Sequence, residues 1–233
     1  MKVGICHIFF ITLLALSCDQ HAKQDSQMDS KIKFNMTEEL ISELNWMNQP
    51  HSIVTENSSL KVSVSKGTDF FNNPEDSSIV GSAPYLYREV KGDFIFKALV
   101  QPDFSAQWNA VAAMLYIDSL NWIKFAFENS DATGPGIVSV ATKGTSDDAN
   151  GVILTDEAMV WLALVRKGNI YAMHWSINGE DFKMARLTSM KTQTKVKVGI
   201  EAQSPVGEMA IHQIHFFEIK EKTVEDLRNI NGN

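Results

Sequence analysis

The chain has 233 residues, a formal charge of −7 and 44% hydrophobic content. An acidic surface repels phosphate backbones and no basic stripe offsets it, so nucleic acid is not an expected partner. Both cysteines, Cys6 and Cys18, lie near the N-terminus, which leaves the rest of the chain without a disulfide or a thiolate metal site.

Met1-Lys2 followed by the apolar run "VGICHIFFITLLALS" has the layout of a secretory signal, too short and wrongly flanked for a stable membrane span. The run ends in "LALSC", which resembles a bacterial lipoprotein signal, although Ala15 and Leu16 depart from its usual pattern. The resemblance implies a signal peptide over residues 1–17 and lipidation of Cys18. The membrane is then a partner through the lipid anchor, and the expected location is the bacterial cell envelope. The alternative is cleavage nearby with Cys18 left as a free thiol. Residues 18–33 carry charge and amide with almost nothing apolar, and read as a flexible tether.

The next segment, "TEELISEL" (37–44), has helical leanings and a Thr-x-Glu start. From there period-two alternation dominates. Strands are expected over 59–65, 92–102, 109–118, 121–128, 136–144, 159–168, 169–177, 182–188, 195–203 and 209–219. Lys167-Gly168-Asn169 marks one hairpin, and Asn178-Gly179 suits a type I′ turn. "GTSDDANG" (144–151) reads as a flexible turn, and residues 221–233 as a tail that forms a frayed helix or none. Many strands with one apolar and one mixed face predict an all-β fold, two antiparallel sheets packed face to face. The folded domain is expected over 34–220.

The stretch "NWIKFAFE" (121–128) divides the chemistry between its faces. Ile123, Phe125 and Phe127 belong to the core side with Leu115, Ile117, Val198 and Ile200, while Trp122, Lys124 and Glu128 point the other way. The turn "DSLN" brings Met114 and Tyr116 onto that second face.

"LNWMNQP" (44–50), "GTDFFNN" (67–73), "YREVKGDFIFKALV" (87–100), "AAMLYIDSLNWIKFAFEN" (112–129), "WSINGEDF" (175–182) and "VKVGIEAQSP" (196–205) together resemble the DUF1349 family. That family is often labelled regulation-of-enolase-protein-1-like. It is placed in the concanavalin A-like lectin/glucanase superfamily, so the resemblance implies a concanavalin A-like jelly-roll β-sandwich. The family commonly has an Asp-Gln pair before one strand and an Arg within it, where this chain has Asn109, Ala110 and Tyr116; its Asp-Phe-Trp is here Asp69-Phe70-Phe71.

Sugar rings stack on aromatic side chains while their hydroxyls need donors and acceptors. A carbohydrate site is accordingly expected at Tyr116, Trp122, Lys124 and Glu128, with Trp108 as a wall. The competing reading has Trp122 packed under a loop and Lys124 snorkelling past it. A glycoside-cleaving enzyme needs two placed carboxyls; Glu128 and Glu201 are the candidates, without the Glu-x-Asp-x-x-Glu run of laminarinase-like enzymes. A third reading is a structural or protein-interaction lipoprotein. Trp46, Trp161 and Trp175 read as structural, and Asp69 as a turn cap.

No cofactor is expected, for there is no Gly-rich phosphate cradle and no Gly-x-Ser-x-Gly elbow. His212 and His215 are three apart, on opposite faces of a regular strand, with no third ligand indicated for zinc. Asp147, Asp148 and Asn150 are oxygen ligands of the kind calcium uses but lack the spacing of a defined calcium loop.

Overall fold

The computed structural model describes residues 33–191 and 195–233. The expected signal peptide, Cys18 and the tether up to residue 32 lie outside the described residues. Phe34–Asn233 is one compact unit.

One sheet has seven antiparallel strands in the order β1 (Asn45–Met47), β6 (Tyr85–Lys91), β15 (Lys195–Gln203), β8 (Ala110–Asp118), β9 (Asn121–Ser130), β10 (Gly134–Lys143) and β11 (Thr145–Ile153). The second also has seven, ordered β14 (Lys183–Ser189), β13 (Ile170–Ser176), β12 (Val160–Lys167), β7 (Phe94–Gln101), β16 (Ala210–Lys220), β3 (Ser59–Val64) and β2 (Ser52–Glu56). A two-stranded arm, β4 (Phe70–Asn72) and β5 (Ile79–Gly81), stands apart from both. The arrangement is an all-β jelly-roll sandwich, as the alternation predicts.

The core lies where the alternation places it. Val111, Ala113, Leu115, Ile123, Phe125, Phe127, Val198 and Ile200 from the first sheet meet Phe94, Phe96, Val100, Leu162, Leu164 and Phe217 from the second. Ile117 is only partly buried, because the β8–β9 register shifts between Tyr116 and Asp118. The three tryptophans read as structural do pack: Trp161 and Trp175 are buried and Trp46 lies half-buried against the core.

Thr37 starts a short helix, α1 (Glu38–Ser42), its hydroxyl accepting from Leu40 N at 3.2 Å. The β12–β13 hairpin turns through Gly168 at φ 61°. Asn178-Gly179 does not form a type I′ turn: only Gly179 has positive φ, and residues 177–182 make a longer loop. The reason is the Asn178 side chain, whose Oδ1 accepts from the backbones of Glu180 and Asp181, both at 2.9 Å.

Two expectations change. Residues 145–153 are not a loop but the edge strand β11, paired along β10. Its side chains are nearly all exposed, which is why no apolar alternation marks it. The segment 221–233 forms no helix, yet it is not a loose tail. Val224 and Ile230 are buried, Lys97 Nζ donates to Asn233 O at 2.6 Å, and His174 Nε2 pairs with Leu227 O at 2.9 Å.

Candidate functional site

The chemistry gathers on the face of the first sheet that points away from the core. Its register sets Gln203 opposite Ala110 and Ala110 opposite Glu128; the next rung is Glu201, Ala112 and Ala126, and the next Gly199, Met114 and Lys124. The alanines of β8 are too small to fill the space between the polar residues of β15 and β9. The arm β4–β5 covers part of this face. Asn72 fastens it, its amide donating to Ser119 O and Gly144 O and its backbone N–H to Ser146 Oγ, each at 2.9 Å.

Under the arm the face is sealed. Phe70, Tyr85, Met114, Trp122, Ala126, Val138 and Val140 form a second apolar cluster. Trp122 is 1% exposed and meets Phe70 edge-on, with ring centroids 6.1 Å apart. The expectation that Trp122 offers a stacking platform is thus overturned: its ring is already covered by Phe70, as in the competing reading. Tyr116 shares the face, directly opposite Trp122, but is occupied by Phe70 at 6.1 Å and by the Lys197 ammonium 5.4 Å from its ring. It does not line the cavity described next.

Beside the arm the face opens into a cavity of about 530 Å³. Phe71 and Trp108, both half-buried, stand in its lining with Asp69, Lys124, Glu128 and Gln203. Trp108 is held by backbone bonds, its N–H donating to Asn129 O at 2.7 Å and its carbonyl accepting from Gln203 Nε2 at 2.8 Å. Its φ of 60° is rare for a bulky residue and fixes the direction in which the indole leaves the chain. Trp108, Lys124 and Glu128 are therefore brought together at one opening, and Tyr116 and Trp122 are not.

Lys124 is not a snorkelling surface lysine. It is 3% exposed and donates to Asp69 Oδ1 at 3.1 Å, Phe70 O at 2.9 Å and Gln203 Oε1 at 2.6 Å. Burial alone would lower its pKa, but the charges of Asp69, Glu201 and Glu128 outweigh burial and raise it. Asp69 thus does more than cap a turn, although it also accepts from Phe70 N at 2.7 Å. The ion pair was not legible, because 55 residues separate the partners. The signal that pointed there was the family's Asp-Phe-Trp motif.

The two carboxyls of the enzymatic reading differ in access. Glu128 lines the cavity, and burial pushes its pKa up to about 7, with Asp69, Asp148 and Asp131 adding to the rise and Lys124 opposing it. Glu201 is fully buried with neither carboxyl oxygen hydrogen-bonded, and burial pushes it up to about 8. It does not line the cavity. The histidines stay apart: His212 lies between Asp103 N and Gln203 O, and His215, at a bulge of β16, between Ser59 Oγ and Gln101 Oε1. Asp147 pairs with Arg186 at 3.0 Å. Among the described residues no group of three or more His, Cys, Asp or Glu is placed to hold a metal ion, Asp147 and Asp148 included.

The molecule is thus a two-sheet antiparallel β-sandwich with a cavity on the outward face of one sheet. The family model "Protein of unknown function (DUF1349)" matches residues 46–222, and the chain belongs to this family. It is 24% identical over 165 residues to "Regulation of enolase protein 1" of Saccharomyces cerevisiae, covering 71% of this chain and 83% of that protein. A solved structure of a functionally unknown protein from S. cerevisiae superposes with a TM-score of 0.73 at 22% identity, over 79% of this chain and 99% of the other. The GH43 protein BlXynB (K247S) from Bacillus licheniformis matches with a TM-score of 0.61 at 14% identity, over 77% of this chain and 37% of its own. Lectin I-B4 from Griffonia simplicifolia matches with a TM-score of 0.53 at 10% identity, over 80% and 96%. At these identities the structural likenesses establish the shared sandwich.

Proposed function

We propose that this protein binds carbohydrate without cleaving it, in the cavity between the arm and Trp108. The observation that carries the reading is the pairing of two half-buried aromatics, Phe71 and Trp108, with buried polar groups of Lys124, Glu128 and Gln203 around one opening. Aromatic walls suit the C–H faces of a sugar ring, and the Glu128 carboxyl, to which no group among the described residues donates, suits its hydroxyls. The likeness to a lectin supports the reading at the level of fold only. Calorimetry with a panel of soluble oligosaccharides tests it. Trp108→Ala should abolish binding with little change in melting, and a wild-type protein that binds no glycan would refute it.

The same proposal places the domain outside the cytoplasm on a lipid anchor at Cys18, supported by the apolar run and "LALSC". Full-length protein should then partition into detergent with acyl mass on Cys18. A soluble protein with an unmodified thiol would end this part of the proposal.

One observation favours an enzyme instead: a carboxyl held near neutrality in a cavity, as Glu128 is, has the proton affinity of a general acid. Against it, Glu201 is sealed from the cavity and Asp69 is bound to Lys124. Release of aryl leaving groups from glycosides that disappears in Glu128→Gln would establish the enzyme.

A further inference from the structure

The cavity has a charge character that a neutral sugar does not require. Five carboxyls line it, those of Asp69, Glu75, Glu128, Asp131 and Asp148, against one cationic group, Lys124. That cation is saturated. An ammonium has three N–H donors, and Lys124 already directs them to Asp69, Phe70 O and Gln203. The Gln203 amide, too, already donates to Trp108 O. The site is rich in acceptors and negative charge, and its one cation has no donor to spare.

A second, independent feature points the same way. Glu128 is 7% exposed, lines the cavity, and accepts no hydrogen bond among the described residues. Behind it Glu201, wholly buried, also lacks any hydrogen-bond partner. Buried carboxyls are normally paired or hydrogen-bonded, and leaving one without a donor is costly. Glu128 therefore presents an unmet acceptor to whatever occupies the cavity. The flanking walls suit the same kind of guest, because the faces of Trp and Phe rings attract cations as well as apolar sugar faces.

We propose that the cavity selects glycans bearing a protonated amine, a de-N-acetylated amino sugar, with the ammonium at Glu128 and the ring against Trp108 or Phe71. The proposal rests on the carbohydrate-binding reading above and names its ligand class. Uronic acids and sulfated sugars are rejected, since no free cation in the lining receives them and the carboxyls repel them.

The test is calorimetry on the full chain at neutral pH with four probes: a glucosamine tetramer, its N-acetylated counterpart, neutral cellotetraose, and spermidine. An ammonium beside Glu128 favours its ionised form, and the resulting charge-assisted hydrogen bond should make the glucosamine tetramer bind about tenfold more tightly than its N-acetylated form. Glu128→Gln should erase that preference while leaving thermal melting undiminished, since the amide keeps the shape and removes a buried ionisable group. Equal or tighter binding of the N-acetylated or neutral tetramer overturns the amine preference and leaves the carbohydrate reading standing. Spermidine binding as tightly as the amino sugar overturns the role of the ring. Failure of every glycan overturns both readings.

Discussion

Lys124 Nζ lies 3.1 Å from Asp69 Oδ1, joining the middle of strand β9 to the residue that precedes the β4–β5 arm. With Lys124 3% exposed and Asp69 at 25%, this contact is less a surface ion pair than a peg holding the arm to the sheet. Removing the ammonium leaves the largely buried Asp69 carboxylate with no cation to offset its charge. Lys124→Met should lower stability by about 3–5 kcal/mol, the scale expected when one partner of a buried pair is deleted. Urea denaturation gives the answer. A loss below about 0.5 kcal/mol, as for an ordinary surface lysine, would show that the peg does not form.

Trp122 and Phe125 point to opposite faces of one strand, yet both are buried, one under Phe70 and the other between the sheets. Trp122→Ala and Phe125→Ala should therefore each cost about 3–5 kcal/mol. Retention of wild-type melting in Trp122→Ala would mean that the arm does not rest on the indole.

Stability should fall as pH rises through the neutral range. Glu128 and Glu201 keep their protons up to about 7 and 8 in the folded chain, against 4.5 when unperturbed. In between, the folded state binds more protons than the unfolded one, so each unit of pH favours unfolding. His212 works in the opposite sense: burial drops it from 6.5 to about 4, so its contribution to stability grows as pH climbs through that interval. The opposing trends overlap at acid pH, and the carboxyl effect stands alone above 6.5. Denaturation midpoints should decline from pH 6.5 to 8, and Glu201→Gln should flatten the upper part of that decline. A midpoint that stays level across this range in the wild type would contradict a protonated Glu201.

Gly199 sits in β15 between β6 and β8, where a Cβ would strike Leu86 O and come within 2.7 Å of Tyr87 Cα. Both obstacles are backbone of the neighbouring strand and cannot step aside. Gly199→Ala should cost more than the roughly 1–3 kcal/mol usual for overpacking. Near-normal melting of that variant would refute the β6–β15 pairing.

The fold was legible in the sequence because alternate residues of the long strands, such as Ile123, Phe125 and Phe127, are apolar and enter the core between the sheets. Edge elements were not. In β11 almost every side chain meets solvent, so "TSDDANG" looks like a loop, and the three-residue strands of the arm are too short to alternate. The site was legible as a face but not as a depth. Trp108, Lys124 and Glu128 share an opening, but nothing local to "NWIKFAFE" announces that a hairpin fifty residues earlier folds over Trp122. The same long separation hid Asp69. Periodicity reports which side of a sheet a residue takes; it carries no record of what lies on top.

That covering has a consequence for the length of any glycan that binds here. Towards Trp122 the face is closed by Phe70, and from Lys124 onward it opens into the cavity. A polymer laid across the whole sheet would collide with the arm, whereas a terminus could enter beside Trp108 and stop against Phe71. Such a site counts ends, not mass: cutting one long chain into many short ones multiplies the places it can occupy without adding a single sugar.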